Sequence, residues 1–259
     1  MRRSTWLLVP ASIFAFGCSK GGDKAADTPG ADTTAAAVPA TPAAIVTVLY
    51  NQPKDPAVFE KYYASTHVPL VVGNQDEIGF NRADLTKFES TVDGKKPTFY
   101  RQAELYFDSM DDLQTGVATP EFKKVADDLK YFASGGLIAM VATTTNDHEA
   151  ASGEPGGIVT VIYKAPKDTA AFEKYYAETH VPLVVANQAE IGFTRAELTR
   201  FNTNLDGSKP DRYRQAELYF PSMEAAKKGI ATPGFKKVAD DLPKFASGGL
   251  DALIGVETK

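Results

Sequence analysis

The chain carries one long segment twice. "EKYYASTHVPLVV" begins at Glu60, and "EKYYAETHVPLVV" begins at Glu173. A shift of 113 residues aligns residues 45–142 with residues 158–255 without a gap, and about 66 of 98 aligned positions are identical. A segment of this length is large enough to bury a core of its own. The repeat therefore predicts two copies of one domain, spanning residues 45–142 and 158–259.

The residues outside the two copies have little to bury. Between the copies, residues 143–157 read "TTTNDHEAASGEPGG", which predicts a linker, and we expect His148 to be a solvated linker residue. Before the first copy, the chain from residue 19 to residue 44 consists mainly of Ala, Thr, Pro, Gly and Asp. Together with Cys18 this stretch, residues 18–44, predicts a lipid-bearing disordered tether.

The first 17 residues have the pattern of a signal peptide. Two arginines precede an apolar run over residues 6–16, which is too short to span a bilayer as a helix. Residues 15–18, "AFGC", resemble a bacterial lipobox with Ala where Leu is usual. The resemblance implies lipidation of Cys18 and an exported protein anchored to a bacterial membrane on its periplasmic or cell-surface side. The alternative is a secreted protein with a stray cysteine, and this sole cysteine excludes an intramolecular disulfide.

Within each copy, the spacing of apolar residues changes between the period of a strand and that of a helix. Asp55 and Pro56 suit the N-cap and first turn of a helix. We predict a strand over residues 45–50, a helix from Asp55-Pro56, strands over 80–92 and 99–107 joined at Asp93-Gly94, a helical region over 109–133 broken at Pro120, and a final strand within 135–143.

The order β-α-β-β-α-β predicts a ferredoxin-like α+β domain, with a four-stranded antiparallel sheet and both helices on one face. The other face of the sheet needs a cover, and two copies in one chain offer one. We therefore expect sheet to pack against sheet in a pseudo-dimeric α/β barrel with the helices outside. The linker is long enough for this pairing within one chain, and pairing between two chains is the alternative.

Three segments carry a family resemblance: "YY-x3-H-VPL", "RQAELYF" and "ATP-x-FKKVADDL-x-x-FASGGL". Each copy resembles the EthD family, of the dimeric α/β-barrel superfamily, nearly end to end. Familiar members have one domain that homodimerises, whereas this chain fuses two copies. The resemblance implies a pocket for a small molecule and an oxidoreductase role.

Charge argues against one class of partner. The net charge is −5, and the body of the chain has no dense basic run. Phosphate binding needs clustered Lys and Arg, so we expect no nucleic acid partner.

The third strand of each copy places polar and apolar residues on opposite faces. Ala103, Leu105 and Phe107 suit packing under the helices. The residues between them would line the barrel interior, namely Tyr100, Gln102, Glu104 and Tyr106 in the first copy and Tyr213, Gln215, Glu217 and Tyr219 in the second.

An enclosed Glu should have a raised pKa, which suits proton transfer near neutral pH. We therefore predict that Glu104 and Glu217 are catalytic and that the neighbouring Tyr and Gln side chains bind the ligand. The alternative is a wet or inter-copy interface in which Glu104 pairs with Arg82 or Arg101.

A histidine follows the tyrosine pair in each copy. His67 lies one helical turn after Tyr63, and Pro69 should disfavour an α conformation at Val68 and distort the helix there. We predict that His67 is an acid/base partner of Glu104 and that Tyr63 contacts the ligand. The matching predictions in the second copy are His180 with Glu217, and Tyr176. The alternative is a histidine at the edge of the core that satisfies local carbonyls.

Other chemistries find little support in the residues. One histidine per copy gives no closed metal site, and no Gly-rich nucleotide motif is present, so no metal or cofactor is predicted. Haem held by His67 or His180 is a minor alternative, because some relatives in the superfamily bind haem through one histidine. Asp127 and Asp128 lie four residues after Lys123 and Lys124, which is typical of a solvated helix face.

Two functions remain open. The first is an EthD-like enzyme, an oxidoreductase or another cofactor-independent acid/base catalyst, acting on a small, partly aromatic or carbonyl-bearing molecule. The second is a surface lipoprotein that binds a ligand or partner without catalysis.

Overall fold

Each copy folds with the predicted order of strands and helices. The structure is a computed structural model that describes residues 43–146 and 156–258, all within one compact unit. The strands are β1 (Ala44–Asn51), β2 (Arg82–Thr91), β3 (Phe99–Phe107) and β4 (Leu137–Thr144) in the first copy, and β5 (Gly157–Lys164), β6 (Arg195–Asn204), β7 (Arg212–Phe220) and β8 (Leu250–Thr258) in the second. The predicted signal peptide, Cys18, the tether before residue 43 and His148 lie outside the described residues.

The helical segments also match between copies. In the first copy they are α1 (Pro56–Tyr62), a π-helical turn (Tyr63–His67), α2 (Val68–Val72), α3 (Gln75–Ile78), α4 (Met110–Val117), α5 (Pro120–Asp128) and a 3-10 turn (Leu129–Tyr131). In the second they are α6 (Thr169–Tyr175), a π-helical turn (Tyr176–His180), α7 (Val181–Ala186), α8 (Gln188–Ile191), α9 (Met223–Ile230), α10 (Pro233–Asp241) and a 3-10 turn (Leu242–Lys244). None of the described helices is both long enough and apolar enough to cross a membrane.

Side-chain caps explain where the helices begin. The Asp55 carboxylate accepts hydrogen bonds from the backbone N–H groups of Ala57 and Val58 at the start of α1. Thr119 caps α5 by accepting from the backbone of Phe122, and Pro120 takes the first turn. The second helical region is therefore divided into α4 and α5 at the predicted break.

The described strands form one closed antiparallel barrel in the order β1-β3-β2-β8-β5-β7-β6-β4. Two seams join the sheets of the two copies. At one seam β2 pairs with β8, with Leu85 opposite Thr258, and at the other β4 pairs with β6, with Thr144 opposite Thr199. The predicted barrel is confirmed, and the copies pair with each other inside one chain.

The barrel separates an interior from a helix-covered exterior. An apolar cluster fills part of the interior and includes Ile45, Leu49, Phe88, Met140 and Leu253. On the exterior, α4 and α5 pack against the outward side chains of β1 and β3 in the first copy. The second copy repeats this arrangement. Strand alternation assigns most side chains to one of these two environments.

The helix distortion near Pro69 differs from the prediction. Val68 keeps a right-handed α conformation, with φ −61° and ψ −46°, so the expectation that Pro69 moves it out of that region is wrong. The distortion lies one turn earlier, where the Val68 N–H bonds to the carbonyl of Tyr63 in a π-helical turn. Pro69 has no N–H to offer the turn before it, which favours this wider turn.

Candidate active site

The sheet separates the residues that we expected to act together. Glu104 lies in the barrel interior, where it contacts Thr47, Tyr106 and Gln215. His67 lies on the opposite face, between the helices and the sheet, beside outward-facing Ala103 and Leu105. The expectation that His67 and Glu104 share a pocket is therefore wrong, and the same holds for His180 and Glu217.

In the interior, the predicted Glu, Gln and Tyr side chains bind one another across the two copies. Gln215 Nε2 donates to Glu104 Oε1 at 3.1 Å, and Gln102 Nε2 donates to Glu217 Oε1 at 3.0 Å. The Tyr219 hydroxyl donates to Glu217 Oε2 at 3.0 Å. This part of the interior is therefore a packed polar interface between the copies.

Burial is the main cause of the raised carboxyl pKa values in this interior. It raises the pKa of Glu217 to about 7, with the negative charge of Glu197 adding to the effect. The pKa of Glu104 is raised well above its usual range for the same reason, with Glu217 as the next cause. The alternative ion pair of Glu104 with Arg82 or Arg101 is not seen, because Arg82 contacts Asp84 and Arg101 contacts Glu60.

Tyr100 and Tyr213 do not face the barrel interior. Opposite β1, Tyr50 pairs with Arg101 and Asn51 pairs with Phe99, which leaves Tyr100 as the extra residue of a β-bulge. The bulge turns the Tyr100 ring toward the helices, where its centroid lies 5.2 Å from that of Phe59. Tyr213 repeats this at 5.3 Å from Phe172. Simple alternation failed here because a bulge reverses the side-chain direction.

Each copy has a cavity on the helix side of its sheet. The first has a volume of about 200 Å³ and the second about 270 Å³. The linings are mostly aliphatic. Among the described residues, the polar side chains that each cavity takes from its own copy are two tyrosines and the histidine, namely Tyr50, Tyr63 and His67 in the first and Tyr163, Tyr176 and His180 in the second. Val72 and Val185 line the cavities and are 53% and 60% exposed, so each cavity reaches the surface there.

A buried aspartate holds the histidine in each cavity. Nδ1 of His67 lies 2.9 Å from Asp128 Oδ2, and the Tyr62 hydroxyl donates to Asp128 Oδ1 at 2.7 Å. In the second copy Asp241 holds His180 at the same distance and accepts from Tyr175 at 2.9 Å. The assignment of Asp128 to a solvated helix face is therefore wrong, whereas the Lys123–Asp127 pair is exposed.

The position of Asp128 in the sequence indicated that it is buried. It lies three residues after Val125 and four before Phe132, which places it on the apolar stripe of α5 rather than on the charged face. A carboxylate at such a position needs a buried donor. The sequence did not indicate which residue supplies that donor, because His67 is 61 positions away.

The hydrogen bond to aspartate fixes the tautomer of each histidine. A carboxylate only accepts, so Nδ1 carries the proton and Nε2 keeps its lone pair. In the second copy, Nε2 of His180 lies 3.5 Å from the hydroxyl of Tyr163. Burial lowers the pKa of both histidines, and the hydrogen bond that each donates to aspartate only partly opposes it. The imidazoles are therefore neutral at pH 7, with a basic nitrogen available.

The tyrosines beside the histidines stay protonated. Burial raises the pKa of Tyr50 and Tyr163 well above the usual range, and the same cause raises the pKa of Tyr63 and Tyr176. Arg101 lies over the ring of Tyr63 at 4.8 Å, held by Glu60. Each cavity thus combines one neutral base with phenol donors in an apolar surround.

Each cavity is completed by the other copy. Leu205 and Thr258 of the second copy line the first cavity. Val92 of the first copy and Asn146, which follows β4, line the second. Arg101 donates to the Thr258 hydroxyl at 2.9 Å across one seam. Arg214 donates to the Thr145 hydroxyl at 3.1 Å across the other. Barrel closure therefore forms part of the site.

The described residues include no cluster of three or more His, Cys, Asp or Glu side chains that could hold a metal ion. One contact in the second copy bears on haem binding. A haem iron bound to Nε2 of His180 would have to displace the Tyr163 hydroxyl from that nitrogen. The haem alternative stays a prediction that a hemin titration would test.

The fold and the cavities define a class of protein. An eight-stranded barrel built from two ferredoxin-like halves, with cavities under its helices, has the architecture of the dimeric α/β-barrel proteins. An anthrone oxidase-like protein of known structure shares this fold, with a TM-score of 0.56 at 12% identity over 84% of this chain and 92% of its own.

The chain belongs to the EthD family, whose domain matches it twice, over residues 51–136 and 164–249. An uncharacterized 11.0 kDa protein of Rhodococcus erythropolis from the thcB–thcC intergenic region is 42% identical over 95 residues, which are 37% of this chain and 88% of that protein. An EthD-family protein of Bacillus halodurans is 27% identical and covers 42% of this chain and 100% of its own, with a TM-score of 0.36. Both cover the length of about one copy.

Proposed function

We propose that this protein is a small-molecule enzyme of oxidoreductase type, with a His–Asp pair as general base in each helix-side cavity. The observation that carries the proposal is the neutral imidazole of His67. Its Nδ1 is held by Asp128 at 2.9 Å, while the ring lines an apolar cavity of about 200 Å³. Membership of the EthD family supports a role in small-molecule chemistry.

The chemistry follows from the protonation states. Nε2 of His67 takes a proton from a C–H or O–H group of the substrate, and Asp128 stabilises the imidazolium that forms. The Tyr50 hydroxyl, which stays protonated, donates to the oxygen on which negative charge develops. The apolar surround excludes water and strengthens both interactions. In the second cavity His180, Asp241 and Tyr163 have the same roles, once the substrate replaces the 3.5 Å contact between the Tyr163 hydroxyl and Nε2 of His180.

The lining defines the substrate class. A compound that fits is small, mostly apolar and partly aromatic, with one carbonyl or hydroxyl group conjugated to the carbon that bears the acidic proton. Anthrone has this chemistry, and the anthrone oxidase-like neighbour motivates its choice as a probe. Loss of the C10 proton gives an anion that dioxygen oxidises, so that anthrone and O₂ yield anthraquinone and water.

The test compares the protein with a variant that has His67→Gln and His180→Gln. Deuterium uptake at C10 of anthrone is followed without oxygen, and anthraquinone formation is followed in air. We expect both rates to fall by roughly 10²–10⁴-fold in the variant. Anthrone binding should persist, because glutamine keeps the cavity polar at one point.

Two outcomes would contradict the proposal. If Glu104→Gln and Glu217→Gln together abolish exchange while the histidine variant keeps it, the chemistry belongs to the barrel interior. If the protein binds anthrone and other carbonyl or phenol probes without accelerating exchange, the non-catalytic binding protein is the better description.

A further inference from the structure

The two cavities take identical residues from their own copies, although the copies differ at other positions. Every residue that either cavity takes from its own copy has the same residue at the matching position of the other copy. Val71 matches Val184, for example, and Leu129 matches Leu242. Over the whole repeat, only about 66 of 98 positions match. The identity of the linings is therefore not a general property of the repeat.

Burial alone does not explain this identity. The barrel interior is buried as deeply as the cavity walls. It keeps the same polar residues in both copies, such as Gln102, Glu104 and Tyr106, but it has changed at several apolar positions. Buried residues that differ are Leu49 against Ile162, Met140 against Leu253, and Phe99 against Arg212. Packing tolerates such exchanges when the total volume is kept. A ligand common to both cavities would impose a constraint of this kind in addition to packing.

The contribution from the opposite copy is the part that differs. Leu205 enters the first cavity, and its backbone N–H bonds to the carbonyl of Ala139 at 2.8 Å. Val92 enters the second cavity, and its N–H bonds to the carbonyl of Ala252 at 3.0 Å. The leucine is one methylene larger and faces the smaller cavity, about 200 Å³ against about 270 Å³.

We infer that both cavities bind the same class of ligand, a fused-ring aromatic molecule with one hydroxyl or carbonyl group, and that Leu205 and Val92 set how large a ligand each cavity accepts. This inference rests on the proposed function only in taking the helix-side cavities as the ligand sites. Both exceed the roughly 150 Å³ apolar cavity that holds benzene. The single polar group of the ligand meets the histidine and tyrosines, and its rings meet the aliphatic walls.

The first test counts sites. Calorimetric titration with 1-naphthol should give two equivalents per chain. Ala126→Phe fills the first cavity from α5, and Ala239→Phe fills the second from α10, because both alanines line them. Each single variant should bind one equivalent and the double variant none, while circular dichroism shows that they stay folded. One equivalent in the unmodified protein, no binding, or a double variant that still binds would overturn the inference.

The second test exchanges the seam residues. The larger probe 9-phenanthrol should bind more tightly to the second cavity, measured in the Ala126→Phe variant, than to the first cavity, measured in the Ala239→Phe variant. In the Ala126→Phe background, Val92→Leu should weaken its binding by about fourfold, the equivalent of one buried methylene. In the Ala239→Phe background, Leu205→Val should strengthen binding by a similar factor. 1-Naphthol serves as control and should change less. Equal effects on both probes, or none, would overturn the assignment of size selection to these residues.

These tests measure binding and not turnover. Two equivalents of probe with no proton abstraction would contradict the proposed function and leave this inference standing. Turnover in a chain that binds only one equivalent of probe would contradict this inference and leave the proposed function standing.

Discussion

At the scale of single residues, the two His–Asp pairs have a different neighbour beside the aspartate. Position 131 is Tyr in the first copy, and the matching position 244 is Lys in the second. Lys244 Nζ lies 3.0 Å from Asp241 Oδ1, whereas Tyr131 is largely exposed. Burial would raise the pKa of Asp241, but hydrogen bonds from His180, Lys244 and Tyr175 outweigh it and lower the pKa. The ammonium group offsets part of the negative charge that stabilises a protonated His180.

We therefore expect Lys244→Tyr to raise the pKa of His180 and Tyr131→Lys to lower the pKa of His67. Both shifts should be small and should shrink with added salt, because the Lys244 side chain is mostly exposed. NMR titration of the imidazole protons measures this, with His148 as an internal reference in the same chain. Shifts in the opposite directions, or a shift that grows with salt, would contradict the account.

At the scale of elements, the π-helical turn determines how the histidine is presented. Tyr63 and His67 begin and end that turn, and both side chains reach the cavity. Pro69 cannot donate a backbone hydrogen bond to the preceding turn, so the helix there is less stable than a regular one. A local distortion of this kind at a functional site is a common use of π-helical turns.

Pro69→Ala together with Pro182→Ala should raise stability and lower activity. The restored N–H allows a regular turn, which stabilises the folded chain. Replacing proline also frees the unfolded chain, which offsets part of that gain, so we expect a net increase of about 1–2 kcal/mol in the free energy of unfolding per copy. A regular turn would rotate His67 away from its present direction, so exchange at the anthrone probe should slow by about tenfold or more. Denaturant unfolding and the exchange assay measure the two effects. Unchanged exchange in a more stable variant would show that the π-helical turn is not needed.

At the scale of the whole molecule, the acids in the barrel interior link stability to pH. Glu217 accepts from Gln102 of the other copy and from Tyr219, and the charges of Glu197, Asp84 and Arg195 act on it. Its pKa is raised from 4.5 to about 7. Between these values the folded chain keeps a proton that the unfolded chain releases. The free energy of unfolding therefore falls as the pH rises through this window.

Glu217→Gln should remove much of that loss. The glutamine still accepts from Gln102 and resembles the protonated acid. We expect the variant to match the parent near pH 4 and to exceed its free energy of unfolding at pH 8 by on the order of 2–3 kcal/mol. Glu77→Gln, at an exposed glutamate, is the matched control and should show no such difference. A variant that is less stable than the parent at pH 8 would mean that the barrel stabilises the ionised carboxylate and that the pKa of Glu217 is not raised.

The barrel interior also shows how much of the fold could be predicted from the repeat. Duplication of a β-α-β-β-α-β segment left each sheet with one uncovered face, and packing these two faces together covers both. The barrel and the enclosure of Glu104, Gln102 and Tyr106 followed from strand alternation. Tyr100 was misplaced because a β-bulge adds one residue opposite β1, and nothing in the local sequence marks where the ladder slips.

The sequence by itself determined the two copies, the order of their elements, the family and the presence of one histidine after each tyrosine pair, because these depend on local pattern and repetition. Only the tertiary structure decided which face His67 uses, that Asp128 is its partner, and that Leu205 and Val92 cross the seams into the cavities. Those contacts join residues far apart in the chain, and their geometry depends on how the helices pack on a closed barrel.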